Sequence, residues 1–159
     1  MPGGGQHLVH IQLDEKFKVR RQPETESERR VAIHDLLEEN SFAPTGFDNG
    51  PYILHISIPS PMRLVFDIRN QQGAPLVEIP LPLAEFKPIV RDYLLTCESY
   101  YGSIRDKSLS QIEAIDMARR GLHNEGSVLL ADSLAGKIDM DRDTARRLFT
   151  LICILHIRG

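Results

Sequence analysis

A change of hydrophobic period at Ala84 constrains this chain more than any other feature of it. Upstream, apolar residues recur at every second position, the spacing of strands with one wet face. Val9, Ile11 and Leu13 alternate with His10, Gln12 and Asp14; Tyr52, Leu54, Ile56 and Ile58 alternate with Ile53, His55 and Ser57; Met62, Leu64, Phe66 and Ile68 alternate with Arg63, Val65, Asp67 and Arg69. Leu76 to Leu81 predicts a weaker strand, which Pro80 assigns to a frayed end or a sheet edge. Pro59-Ser60-Pro61 and Asn70 to Gly73 supply the turns, and Ser41 to Pro51, with two prolines and Asn49-Gly50, reads as a loop.

Pro23 to Asn40 interrupts the strands with a helical pattern: Thr25 and Glu28 have capping-box spacing, and Ala32, Ile33, Leu36 and Leu37 form a stripe that Asn40 can close. From Ala84 onward Phe86, Val90, Tyr93, Cys97, Tyr100 or Tyr101, and Ile104 step by three and four, with Pro88 acceptable in a first turn. Ser108 or Ser110 can cap a second helix through Leu122, Asn124 a third through Ala135 with Gly136 at its exit, and Asp141 a fourth through Leu155. Strands are thereby segregated from most helices, which predicts an α+β fold: a small, mainly antiparallel four-stranded sheet in the order β-α-β-β-β, packed with a C-terminal four-helix layer. Whether the first strand pairs in parallel with the meander is left open by the pattern. Residues 1–159 are expected to form one globular domain, with 1–6 flexible, 7–82 sheet-rich and 83–157 helical, and Leu148, Phe149, Ile152 and Leu155 in the core.

Composition closes off several classes of function. A formal net charge of -3 lacks the positive footprint of a general nucleic-acid binder, so nucleic acid is disfavoured as a partner. Cys97 and Cys153 sit in apolar helical runs without CxxC pairing, which fits packed thiols of a cytoplasmic protein better than a disulfide framework or a zinc site. Met1-Pro2-Gly3-Gly4-Gly5 has neither the pattern of a secretion signal nor the glycine for myristoylation, and Leu148 to Leu155 is too short to span a bilayer, so no membrane association is expected. No HExxH, P-loop, dinucleotide fingerprint or G-x-S-x-G elbow occurs, and His123-Asn124-Glu125 lacks the following Pro-Cys-x-x-Cys of the zinc deaminases. Neither cofactor nor metal is expected.

The densest polar stretch is Gln111 to Gly126. Glu113, Asp116, Arg120 and His123 lie three, four and three residues apart, so a helix brings them near one face. In one reading His123 is a general base oriented by Asp116 or Glu125, with Arg119 or Arg120 holding an anionic substrate. In the other, Asp116 and Arg120 are a solvated i,i+4 pair and His123 helps end the helix. Asn124 opens a further possibility, a helix N-terminus whose free N–H groups join Arg119 or Arg120 around phosphate or carboxylate, against which stands a plain N-cap role. The arginine doublets 20–21, 29–30, 119–120 and 146–147 could grip phosphates if two converged, but nearby acids make solvated structural arginines the simpler account. His156 beside Cys153 reads as a packed terminal histidine.

Four segments also carry a resemblance: Glu28 to Phe42 (ERRVAIHDLLEENSF), Arg63 to Arg69 (RLVFDIR), Asp92-Tyr93 with Cys97 to Tyr100, and the pair Gln111 to Gly126 and Asp143 to His156. In these motifs the chain resembles a bacterial set catalogued as uncharacterised protein family 0262. The resemblance implies a stand-alone cytoplasmic bacterial protein and transfers no catalytic residue, cofactor or substrate. The residues favour a non-enzymatic regulatory or adaptor protein that binds a protein partner or small anion; the alternative is a metal-independent enzyme using His123, Asp116 and Glu125 for catalysis and Arg119, Arg120, Asn124 and Glu113 for a small anionic substrate. A homo-oligomer stays open.

Overall fold

The computed structural model describes residues 5–14, 23–60, 63–103 and 106–155. Ten elements follow one another: β1 (Leu8–Asp14), α1 (Pro23–Glu38), β2 (Phe42–Pro44), β3 (Tyr52–Ser60), β4 (Arg63–Asn70), β5 (Pro75–Pro82), α2 (Leu83–Ser103), α3 (Leu109–Ser133), β6 (Ile138–Met140) and α4 (Arg142–Leu155). The fold is α+β. Its main sheet has the order β1-β3-β4-β5, mixed because β1 runs parallel to β3 while the remaining pairs are antiparallel. The proline-bearing strand β5 is at an edge, where a missing N–H costs no ladder bond.

One face of this sheet is the floor of the core. Tyr52, Leu54, Ile56, Leu64, Phe66 and Ile68 are fully enclosed on it, each stabilising the fold by about 1.5–3 kcal/mol relative to exposure. The alternation expected of β1 holds only in part: a bulge between Leu8 and His10 breaks the two-residue period, turning Leu8 into the core and leaving Val9 38% exposed. The helices cover this floor as a layer in which α1 packs on α4, α4 on α3, and α3 on α2. Leu148, Phe149, Leu151 and Ile152 of α4 and Leu83, Phe86 and Val90 of α2 are buried, and Leu155 is half-buried against the same core.

Several local expectations change in the structure. The two helices expected on either side of Leu122–Asn124 are one continuous 25-residue helix, α3, capped at Ser108 by a capping box with Gln111. The C-terminal layer is therefore built from three helices after the sheet, completed by α1. Pro88 falls in the second turn of α2 rather than the first, because that helix begins at Leu83. The loop Ser41 to Pro51 contains β2, which pairs antiparallel with β6 and ties the end of α1 to the α3–α4 corner. Gly136 occupies the left-handed region (φ 81°) at that corner, as a helix exit favours, and Asp141 caps α4 by accepting from the Thr144 N–H at 2.9 Å. Gln6, at the end of the stretch expected to be flexible, donates its side-chain amide to the Phe47 carbonyl and accepts from the Tyr52 hydroxyl. Asn40 closes α1 as expected and stitches it to β1, donating to the Leu36 and Leu8 carbonyls and accepting from the Leu8 N–H. The Thr25–Glu28 capping box and His156 lie outside the described side chains.

Candidate functional site

The polar residues of α3 divide into two groups by the direction in which the helix presents them. At its N-terminal half Asp116 is the hub: its carboxylate accepts from Arg119 at 2.6 and 3.1 Å and lies 3.2 Å from Arg120 Nε. The Arg119 hydrogen bond, then the charges of both arginines, hold the Asp116 carboxyl below its ordinary value. Arg119 also lies over the Tyr100 ring, 5.3 Å from its centre, so its charge is shared between a carboxylate and an aromatic face on α2. Glu113 is exposed one turn earlier.

His123 points the other way, into the junction of α2, α3 and α4. Its ring meets Tyr93 and Phe149 edge-on, each with centroids 5.2 Å away, and its Nε2 lies 2.7 Å from Thr150 Oγ1. That hydroxyl also donates to the Arg146 carbonyl, which makes His123 the Nε2–H tautomer and leaves Nδ1 buried without a hydrogen-bond partner. Burial, followed by the charges of Arg146 and Arg119, depresses the His123 pKa to about 4, so the ring is neutral at pH 7. Burial and neighbouring Cys97 push the Tyr93 hydroxyl up. One turn further, Gly126 lets the backbone of α3 press against Phe149: a Cβ there would fall within the ring. Asn124 accepts from Arg146 Nη1 at 3.0 Å, and the Ser127 hydroxyl donates to the His123 carbonyl.

Thus α3 does not bring the candidate set together. Asp116 faces the arginines rather than His123, Glu125 is exposed to solvent, and Arg120 remains on the surface beside Asp116. Asn124 lies in the interior of α3, where its N–H belongs to the helix; the expected N-terminal anion site at this position is corrected for that reason. Two arginine doublets do approach each other, since Arg119 and Arg146 both act on His123 from different helices. Among the described residues Arg146 meets no carboxylate, and no group of three His, Cys, Asp or Glu side chains could hold a metal ion. Among the described residues no helix is long and apolar enough to cross a membrane.

Two features escaped the sequence. Register aligns Gln12, His55, Asp67 and Glu78 in one row across the sheet, on the face opposite the core, with Arg69 Nη2 bound to Asp67 at 2.8 Å. Alternation identifies that face but not the partners across it. The second lies between Val90 and Gly126, where no described residue is buried. In that stretch the end of α2 and the first half of α3 form a helical hairpin that leaves Leu95, Tyr101, Leu109 and Met117 exposed, the last two at 73% and 67%. A groove of about 330 Å³ runs between the two helices, lined by Leu95, Thr96, Ser99, Ala114, Ile115 and Ala118.

These observations define an α+β protein with a neutral, half-buried histidine set among three helices and a helical hairpin that leaves large apolar side chains exposed. The chain belongs to the Uncharacterised protein family (UPF0262), whose model matches residues 5–158. It is 60% identical over 154 residues to the UPF0262 protein of Paramagnetospirillum magneticum, covering 97% of this chain and 98% of that relative. It is 53% identical to the UPF0262 protein of Rhizobium leguminosarum bv. trifolii and 52% identical to that of Agrobacterium fabrum, in both cases over 159 residues and 100% of each chain. No solved structure matches it.

Proposed function

We propose that this protein acts by binding rather than by catalysis, and that the surface it uses for a protein partner is the α2–α3 hairpin. The observation that carries this reading is the contrast along α2 and α3: between Val90 and Gly126, both buried, no described residue is buried, yet large apolar side chains stand exposed on both helices. Scattered apolar residues on a surface need no explanation, but a cluster beside a groove is what a partner covers. The placement of His123 supports the same reading: its Nδ1 is buried and its Nε2 is bound to Thr150, whereas a general base must come within hydrogen-bond reach of its substrate's proton.

A photo-crosslinking residue placed at Met117, in bacteria that naturally carry the protein, is expected to form a discrete adduct that Leu95→Asp abolishes. The same residue at exposed Glu78 on the sheet serves as control. Adducts at both positions, or at neither, refute the assignment.

Arg146 favours a second ligand, a small anion. A half-buried guanidinium with no carboxylate among the described residues retains donors for phosphate or carboxylate, and Arg120 stands on the adjoining helix. Thermal shift with phosphate, nucleotides and small carboxylates tests this: an anion at a hundred times its Kd adds about 2.7 kcal/mol of stability, and Arg146→Ala should remove the gain. Equal shifts in both proteins exclude this site.

A further inference from the structure

Resting on the hairpin as a binding surface, we infer that its occupant is a second copy of this chain, packed antiparallel along α3 about a two-fold axis beside Met117. The argument begins with spacing. Ser110, Ala114 and Met117 are separated by four and three residues, so they form a strip along the solvent face of α3; all three are exposed, and none carries a charge. Glu113 and Arg120 are seven residues apart and therefore flank this strip on the same side, two turns from each other, both exposed. Their order selects one arrangement. In a parallel pair the two-fold axis runs along the helices and carries this flank to opposite sides of the seam, so Glu113 and Arg120 of the two chains do not meet. In an antiparallel pair, Glu113 of each chain faces Arg120 of the other, which attracts twice.

An axis midway between Glu113 and Arg120 passes beside Met117, so the same register brings the long thioether side chains of the two chains against each other at the centre of the seam, with Ala114 of each chain on either side. Ala114 also lines the groove between α2 and α3, and Leu95 and Ile115 stand beside it, which extends the covered apolar surface onto α2. Arg120 keeps Asp116 at 3.2 Å, so an incoming Glu113 joins an existing ion pair as a second carboxylate on one guanidinium, which has donors for both. Such an interface is self-complementary, as a two-fold axis requires: the patch that a chain offers is the patch that it receives. It is also narrow, so association in the micromolar range is expected.

Sedimentation velocity of the full chain, from low micromolar to near-millimolar concentration in dilute salt, tests the inference. A monomer–dimer equilibrium is expected that weakens with added salt. Glu113→Arg and Arg120→Glu should each weaken it about ten-fold or more, since each places like charges opposite one another. The double variant Glu113→Arg/Arg120→Glu should recover to within about three-fold of the original, because reversing both members restores the attraction. Met117→Asp should abolish association. Denaturant midpoints close to the parent confirm that each variant folds; if a charge variant does not fold, Met117→Asp alone decides the question. A chain that stays monomeric throughout, association unaffected by Met117→Asp, or a double variant no better than its parents overturns the inference. A monomeric chain whose Met117 crosslinks to a different protein removes the second copy and keeps the hairpin as a binding surface, whereas a monomeric chain without any adduct removes both.

Discussion

Gly121 and Gly126 lie five residues apart in one helix, and the same substitution should move stability in opposite directions at the two positions. Neither has a positive φ, so backbone conformation demands glycine at neither. At Gly121 a Cβ would meet nothing within 4 Å, and Gly121→Ala should therefore stabilise by the helix-propensity difference alone, about 0.5–1 kcal/mol. At Gly126 the new Cβ would enter the ring of Phe149, a fully buried side chain that also packs on His123 and Tyr93. Overpacking costs about 1–3 kcal/mol in general, and complete loss of a buried phenylalanine's packing, about 3–5 kcal/mol, limits the damage if the ring leaves its seat. Set against the same propensity gain of about 1 kcal/mol, the clash wins, and Gly126→Ala should destabilise by about 2 kcal/mol. At this chain length that lowers Tm by roughly 4–8 °C, while Gly121→Ala raises it by roughly 1–4 °C. Urea midpoints measure both. A third variant isolates the cause: Gly126→Ala/Phe149→Leu should lose less than the sum of its parts, because the shorter side chain vacates the space. If Gly126→Ala matches Gly121→Ala, or if the double variant is additive, Phe149 does not press on α3 at this point and the packing of α3 on α4 is misplaced.

His123 makes stability pH-dependent in a defined window. Its pKa is depressed from 6.5 to about 4 on folding, so its contribution is complete above the unfolded value and is lost as pH falls from about 6.5 to 4, by up to about 3 kcal/mol. Urea melts at pH 7 and 4.5 should show that loss in the parent and a smaller one in His123→Gln; equal losses would mean that folding does not desolvate His123. Ile152→Ala, at a fully buried position of α4, should cost about 2–5 kcal/mol by denaturant midpoint, and a near-parental value would make this helix peripheral. Asn40→Ala removes two hydrogen bonds to Leu8 of β1 and one to Leu36 of α1 and should cost about 1–3 kcal/mol; amide exchange at Leu8 should then rise relative to that at Leu54, and unchanged exchange would show that the bridge is not made.

What could be read along the chain was whatever depends on neighbours in sequence. Alternation in Tyr52 to Ile58 and Met62 to Ile68 specifies strands and their apolar faces, because a pleated strand turns successive side chains to opposite sides. The three- and four-residue steps after Ala84 specify helices, and the caps at Ser108 and Asp141 and the left-handed Gly136 follow from the chemistry of helix ends. The Asp116–Arg120 pair belongs here too, since one helical turn is enough to form it. The motifs that carry the family resemblance are likewise properties of the string.

The remainder needed the packed molecule. Gly121, Asn124 and Gly126 are weak helix formers whose combined propensity argues for a break, yet Asn124 is engaged by Arg146 and Gly126 by Phe149, residues more than twenty positions away, and this packing carries α3 through. The bulge that buries Leu8 in place of Val9, the parallel pairing of β1 with β3 and the small sheet of β2 and β6 are all register choices made between distant segments. The direction of His123 is one as well: helical spacing places it near Asp116 and Arg120, but the space between Tyr93, Phe149 and Thr150 turns it inward, where desolvation removes its charge. Local spacing defines which side chains can meet, because covalent geometry limits their reach, whereas burial is a property of the whole chain and decides which of those meetings occur.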